Sequence, residues 1–150
     1  MNEVEINIPS DHVFERIVRD SAVTVARYLG FPEERTADLQ LAVSEAVTNA
    51  IEHGNHNQPH IKVGVQFVLF GDRLAVRVID QGGDMPAVLP LGRPSMEDKL
   101  LEDSPRGLGI FLIQQLVDEI ELQSGDGRTE FTMWFDIDAQ ESRPALSSIA

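Results

Sequence analysis

The stretch LQLAVSEAVTNAIEHGN, residues 39–55, sets a carboxylate and an amide in the middle of an otherwise apolar helix. At helical spacing Leu39, Val43, Ala46, Val47, Ala50 and Ile51 make a broad apolar stripe, and Glu45, Asn49 and Glu52 or His53 make a polar row beside it. The row therefore sits at the rim of a core. A buried amide without partners costs about 1–3 kcal/mol and a carboxylate more, so the row needs protein partners or a ligand. A solvated helix face has the same spacing, and the choice between the two depends on the segments around it.

Working outward toward the N-terminus, Phe31 and Pro32 break the chain, and Glu33 and Glu34 suit the first turn of the helix that follows. Before them Val13, Phe14, Ile17, Val18, Val25 and Leu29 recur at helical spacing up to Gly30, with Ser10 as candidate N-cap and Asp11 in the first turn. Val4, Ile6 and Ile8 alternate with polar residues in a short strand that Pro9 ends. Toward the C-terminus, residues 55–59 form a loop. Residues 61–70 and 74–79 then read as antiparallel strands joined by a turn at Gly71 and Asp72.

From Gln81 to Arg106 glycines, prolines and charges interrupt the pattern, which predicts a long loop of the kind that is usually functional. A helix resumes with Leu108, Phe111, Leu112, Gln115 and Leu116, and residues 119–123 and 129–135 form a closing hairpin across SGDGR. The element order predicts an α+β fold: a two-layer sandwich with a mainly antiparallel sheet and the helices on one face. Residues 1–138 read as a single domain and residues 139–150 as a flexible tail.

A chain of 150 residues has the size of one domain, and 42% hydrophobic with 25% charged residues is ordinary globular composition. No apolar run approaches the roughly 18 residues of a membrane span, and the acidic start MNEVEINIPSD lacks the pattern of a secretion signal. A cytoplasmic protein is expected. The absence of cysteine excludes disulfides and thiolate metal sites. A net charge of −13 speaks against nucleic acid, whose affinity comes mainly from Lys and Arg, and favours a protein partner.

Two further constellations stand out. Residues 74–79 run straight into Asp80, Gln81, Gly82, Gly83 and Asp84. This is either a turn or a carboxylate at a pocket floor, accepting from an exocyclic amine while Gly82 lets backbone approach a ligand. Arg106, Gly107, Leu108 and Gly109 open a helix, where free backbone N–H groups can hold an anion or simply form a flexible start. His53, His56 and His60 fit a helix end and its loop better than a metal site, and Trp134 between Met133 and Phe135 reads as packing. Neither a phosphate loop with Lys, nor the motifs of eukaryotic-type kinases, nor a hydrolase nucleophile elbow occurs.

In order, Glu45-x-x-x-Asn49, Asp80-x-Gly82, a long loop, Gly107-x-Gly109 and Gly127-x-Thr129 resemble the GHKL (Bergerat-fold) ATP-binding domains of gyrase, Hsp90 and histidine kinases. SEAVTNAIEHGN and RGLGIFLIQQLVDEIELQ look most like the anti-sigma factor serine kinases of bacterial partner switching. The resemblance covers nearly the whole chain. It implies that Asn49 binds Mg²⁺, that Glu45 is the general base, and that Asp80 binds the adenine amine with Thr129 supporting it and Gly82 against the base. It also implies phosphate-binding N–H groups at Gly107, Leu108 and Gly109, with Arg106 adding charge, and an ATP lid over residues 85–105 in which Arg93 and Lys99 would face the phosphates. One departure is Asp84, which stands where many relatives carry a glycine; Gly83 comes one place early.

The activity implied is Mg-ATP-dependent phosphorylation of a serine or threonine on a STAS-type anti-anti-sigma protein, coupled to sequestration of a sigma factor or another response protein. A homodimer is implied as well. The competing reading is a switching module that binds ATP and a partner without phosphoryl transfer. Glu45 favours the enzyme, because nucleotide binding alone needs no base there.

Overall fold

The computed structural model describes residues 2–82 and 105–137, and for residues 105–108 the backbone alone. The elements are β1 (Glu3–Pro9), a 3₁₀ turn (His12–Phe14), α1 (Glu15–Leu29), α2 (Glu33–Asn49) continued by a π-helical turn (Ala50–Gly54), β2 (Lys62–Phe70), β3 (Arg73–Asp80), α3 (Pro105–Leu116), β4 (Glu119–Gly125) and β5 (Arg128–Asp136). The fold is α+β, with one antiparallel sheet ordered β1-β2-β3-β5-β4. Residues 85–104, Gly83 and Asp84, and the tail 139–150 lie outside the described residues, so the expected lid, with Arg93 and Lys99, and the expected tail have no structural account. Among the described residues no helix is long and apolar enough to cross a membrane.

α2 is the central helix, packed between α1 and α3. All six apolar positions of its stripe, Leu39, Val43, Ala46, Val47, Ala50 and Ile51, are buried. They meet Val63, Val65 and Phe67 of β2, Leu74, Val76 and Val78 of β3, and Phe131, Met133 and Phe135 of β5 in one core. The inward residues of each strand follow the period of two that antiparallel sheets with one covered face require.

α1 differs from its sequence reading. It buries Val18, Ala22, Ala26 and Leu29, whereas Val13 is 74% and Ile17 52% exposed. One step along a helix turns a side chain by about 100°, so a stripe running through Val18 leaves Ile17 outside. Val13 stands in the 3₁₀ turn, which Asp11 caps by accepting a hydrogen bond from the Val13 N–H at 3.0 Å. Ser10 is not the cap; its hydroxyl donates to the Ile61 carbonyl at 2.6 Å. Gly30 ends α1 in the left-handed conformation, as its position after the last apolar residue predicts.

Arg35 of α2 fastens the end of α3. Its guanidinium donates to the Leu116 carbonyl at 2.8 Å, pairs with Asp118 and lies 5.0 Å from the centre of the Phe135 ring. Asp118 in turn accepts the Asp136 N–H at 2.7 Å, so α2, α3 and β5 are held at one corner. On the other face of the sheet Trp134 packs against Phe70 at 5.5 Å and under Arg73 at 4.8 Å, the packing role its alternation predicts.

Candidate functional site

The polar row of α2 ends at the π-helical turn. Asn49 is 8% exposed, and its Nδ2 has no hydrogen-bond partner among the described residues. α3 arrives at the same place. A Cβ added to Gly109 would lie 3.1 Å from Asn49 Nδ2, 3.3 Å from Asn49 Oδ1 and 3.4 Å from Glu45 Oε2. Glycine at that position lets α3 close on the two polar side chains, and Glu45, Asn49 and Gly109 come together from elements about sixty residues apart.

α3 begins at Pro105, three residues before the start that periodicity suggests, because Pro is favoured in the first helical turn. Arg106, Gly107 and Leu108 therefore lie inside the first turn and Gly109 just beyond it. The N–H groups of Arg106 and Gly107 belong to those that no helix can satisfy internally, and they add to the positive end of its dipole.

Asp80 closes β3 and is 4% exposed. Its Oδ1 accepts the Gly82 N–H at 2.9 Å. The sheet register sets Asp80 directly opposite Thr129 of β5, which is 1% exposed and has its hydroxyl 3.3 Å from that of Ser124. Asp80, Gly82 and Thr129 thus share one corner. The helix end forms its wall: a Cβ at Gly54 would fall 2.6 Å from Asp80 Oδ1, and one at Gly82 would fall 2.6 Å from the Gly54 carbonyl oxygen. Real Cβ atoms do not approach so closely, so a side chain at residue 82 would collide with the Gly54 backbone and one at residue 54 would have to displace the Asp80 carboxylate. The π-helical turn, a feature often found at functional sites, carries Gly54 to this contact.

Glu45 sits in a field that opposes its ionisation. Burial raises its pKa above the ordinary carboxylate value, and the negative charges of Glu52 and Glu15 raise it further. Glu52 lies 3.6 Å from His12 Nε2, and Glu15 has a buried Oε1 without a partner among the described residues. The first turn of α1 therefore faces the polar row of α2.

Three participants escape a reading by motif spacing. Gly54 looks like an ordinary helix terminator, Asn55 like loop and Glu15 like a helix N-terminal acid. Asn55 is 1% exposed and accepts the Gln81 N–H at 2.8 Å. The signal that could have drawn attention to it is its place directly after Gly54, in the same phrase as Glu45 and Asn49. His56 and Asn57 after it are both in the left-handed region, which costs about 1–2 kcal/mol per residue without glycine and marks a loop held by its contacts.

The histidine kinase-like ATPase domain family matches residues 8–135 of this chain. The serine-protein kinase RsbW of Bacillus velezensis is 36% identical over 129 residues, covering 84% of this chain and 81% of that protein. RsbW of Bacillus subtilis is 32% identical over a stretch that covers the same shares. The crystal structure of the RsbU and RsbW domains of a Mycobacterium tuberculosis protein superimposes with a TM-score of 0.66 at 24% identity, covering 96% of this chain and 34% of that longer one, a likeness of fold. With its central helix, its five-stranded sheet and this match over residues 8–135, the chain belongs to the histidine kinase-like ATPase domain family and is similar over most of its length to the serine-protein kinases RsbW.

Proposed function

We propose that this protein serine/threonine kinase works in the cytoplasm, that its phosphoryl donor is Mg-ATP, that its acceptor is a serine or threonine of a STAS-type anti-anti-sigma protein, and that it sequesters a sigma factor or a similar response protein. The observation that carries the reading is the meeting of Glu45, Asn49 and Gly109 at the start of α3. The residues suit the cofactor. Asn49 brings a buried amide with an unpaired atom, and a half-turn of that amide presents Oδ1, the neutral oxygen that Mg²⁺ accepts beside phosphate and water.

When bound, ATP supplies the phosphoryl group and Mg²⁺ offsets the negative charge of its phosphates. Asp80 accepts a hydrogen bond from the adenine amine, and Thr129 lies opposite it to support the base. Gly82 leaves room for the ring. The first-turn N–H groups of Arg106 and Gly107, with the Arg106 charge, hold phosphate oxygens, while the N–H groups of Leu108 and Gly109 fall within the helical hydrogen-bond pattern and Gly109 lets the phosphates approach Asn49. Glu45 would take the proton of the acceptor hydroxyl as the hydroxyl oxygen bonds to the terminal phosphorus of ATP and the bond from that phosphorus to the bridging oxygen breaks, releasing ADP. A raised pKa makes Glu45 a stronger base and moves it toward the working pH, where general bases are most effective.

The test is a single-turnover assay with labelled ATP and the co-purified partner. Glu45→Gln keeps the shape of the side chain and removes its basicity. Mg-ATP affinity should stay within a few-fold while transfer slows by roughly 10²–10⁴, the span of a positioned general base. Equal transfer rates in parent and variant would remove Glu45 as the base. A parent that binds ATP and phosphorylates no partner would be a binding module.

A further inference from the structure

Asn55 has no role among those assigned above, yet its side chain makes three hydrogen bonds. Its Oδ1 accepts from the Gln81 N–H at 2.8 Å, and its Nδ2 donates to Ser10 Oγ at 2.9 Å and to the Lys62 carbonyl at 3.2 Å. The amide cannot be turned over. A backbone N–H only donates and a carbonyl only accepts, so oxygen must face Gln81 and nitrogen must face Lys62. Ser10 gives its single proton to the Ile61 carbonyl at 2.6 Å and can therefore only accept from Asn55. Ser10 and Asn55 are each 1% exposed, so water does not compete for these bonds.

The base of this strut is fixed as well. The Asn55 N–H reaches the Ala50 carbonyl at 2.8 Å, the Asn57 N–H reaches Ile51 at 2.8 Å and the Gln58 N–H reaches the Asn55 carbonyl at 3.1 Å. Its far end grips the peptide that joins Asp80 to Gln81. The two residues on either side of that N–H, Asp80 and Gly82, are tied to each other at 2.9 Å and pressed against Gly54. One buried amide thus links the β1–α1 junction to the peptide that directly follows Asp80.

We propose that Asn55 is a positioning residue for adenine selectivity: by holding the Gln81 N–H it aims the Asp80 carboxylate at an exocyclic amine and so favours adenine over guanine nucleotides. The inference rests on the reading of Asp80 as the acceptor for the adenine amine. Guanine carries a carbonyl oxygen at the corresponding ring position, which a fixed carboxylate repels. A carboxylate free to swing discriminates less, because a site rejects the wrong partner to the degree that its polar groups cannot rearrange.

The experiment combines amide hydrogen exchange on the nucleotide-free protein with calorimetric titration of Mg-ATP and Mg-GTP, for the parent, Asn55→Ala and Ser10→Ala. In the parent the Gln81 amide should exchange slowly and ATP should bind more tightly than GTP. In Asn55→Ala that amide should exchange fast, ATP affinity should fall about tenfold or more and GTP affinity should hold, so that the ATP:GTP ratio collapses. Ser10→Ala, which unhooks the strut from β1 and leaves Asn55 in place, should lower the ratio several-fold; it carries the test if Asn55→Ala does not fold. A residue with a merely structural role would lower the melting temperature and leave the ratio intact, and an intact ratio in either folded variant overturns the proposal. A parent without preference for ATP overturns instead the assignment of Asp80 on which the proposal stands.

Discussion

Glu45 shows how a single side chain can be placed against its own ionisation. Its pKa in the folded protein is raised, by burial first and by Glu52 and Glu15 next. A group whose folded pKa exceeds its unfolded one contributes stability below the unfolded value and loses it as pH rises through the folded value. Above the folded value the ionised Glu45 therefore works against the fold. Glu45→Gln should melt at a higher temperature than the parent near pH 7, by a few degrees at most, and the gain should vanish as pH falls into the ordinary carboxylate range. Melting curves across that range check the sign; a variant less stable at neutral pH would mean that the charge is compensated. Gly54 makes the complementary case. In Gly54→Ala the new methyl has to displace the Asp80 carboxylate or the helix end, at a cost of about 1–3 kcal/mol for such overpacking, and ATP affinity should drop far more than stability. Paired chemical denaturation and calorimetry separate the two effects.

At the level of elements, periodicity was enough to place the strands and helices, because each buries one face: the stripe on α2 and the alternation in β2, β3 and β5 are both visible in residue order. Asp126 and Gly127, both with positive φ, turn β4 into β5 as an Asp-Gly pair should. That Gly109 would come against Glu45 and Asn49 is suggested by motif order and not by spacing. What residue order concealed was contact across elements. Val13 and Ile17 satisfy helical spacing and still face outward: Val13 lies in the 3₁₀ turn before α1, and the buried stripe of α1 runs through Val18, Ala22, Ala26 and Leu29. The fit of Gly54 on Asp80 and the reach of Asn55 to Gln81 join residues 26 apart in sequence, and no local pattern encodes either. Arg35 is of the same kind, a surface charge by composition and a three-way fastening in space. Arg35→Ala should destabilise the fold by roughly 1–2 kcal/mol, mainly by releasing the Leu116 carbonyl at the end of α3, and Arg35→Lys should recover little, because an ammonium cannot serve carbonyl, carboxylate and ring together. Urea denaturation of the two variants decides it; full recovery in Arg35→Lys would reduce the contact to a screened ion pair.

Across the whole molecule the candidate site draws on α2, β3, α3 and β5, so its groups stand together only when these elements, far apart in sequence, have packed. A ligand of such a site binds the native chain and not the unfolded one, and it stabilises the fold as the logarithm of its concentration over Kd. At roughly 100 times Kd the gain is about 2.7 kcal/mol, which for a chain of this size amounts to about 2–4 °C per kcal/mol. Mg-ATP should therefore raise the melting temperature by several degrees, and chelation of Mg²⁺ should remove most of that rise. Two variants divide the effect. Asp80→Asn leaves the proposed metal ligand in place and loses the charge-assisted acceptor for the amine, so a smaller rise should remain and still depend on Mg²⁺. Asn49→Ala keeps the proposed adenine corner, so a small rise should remain that is the same with and without Mg²⁺. A parent whose melting temperature rises equally with ATP alone and with Mg-ATP would exclude Asn49 as a metal ligand, and an unaltered rise in Asp80→Asn would take the adenine out of the corner that β3 and β5 build.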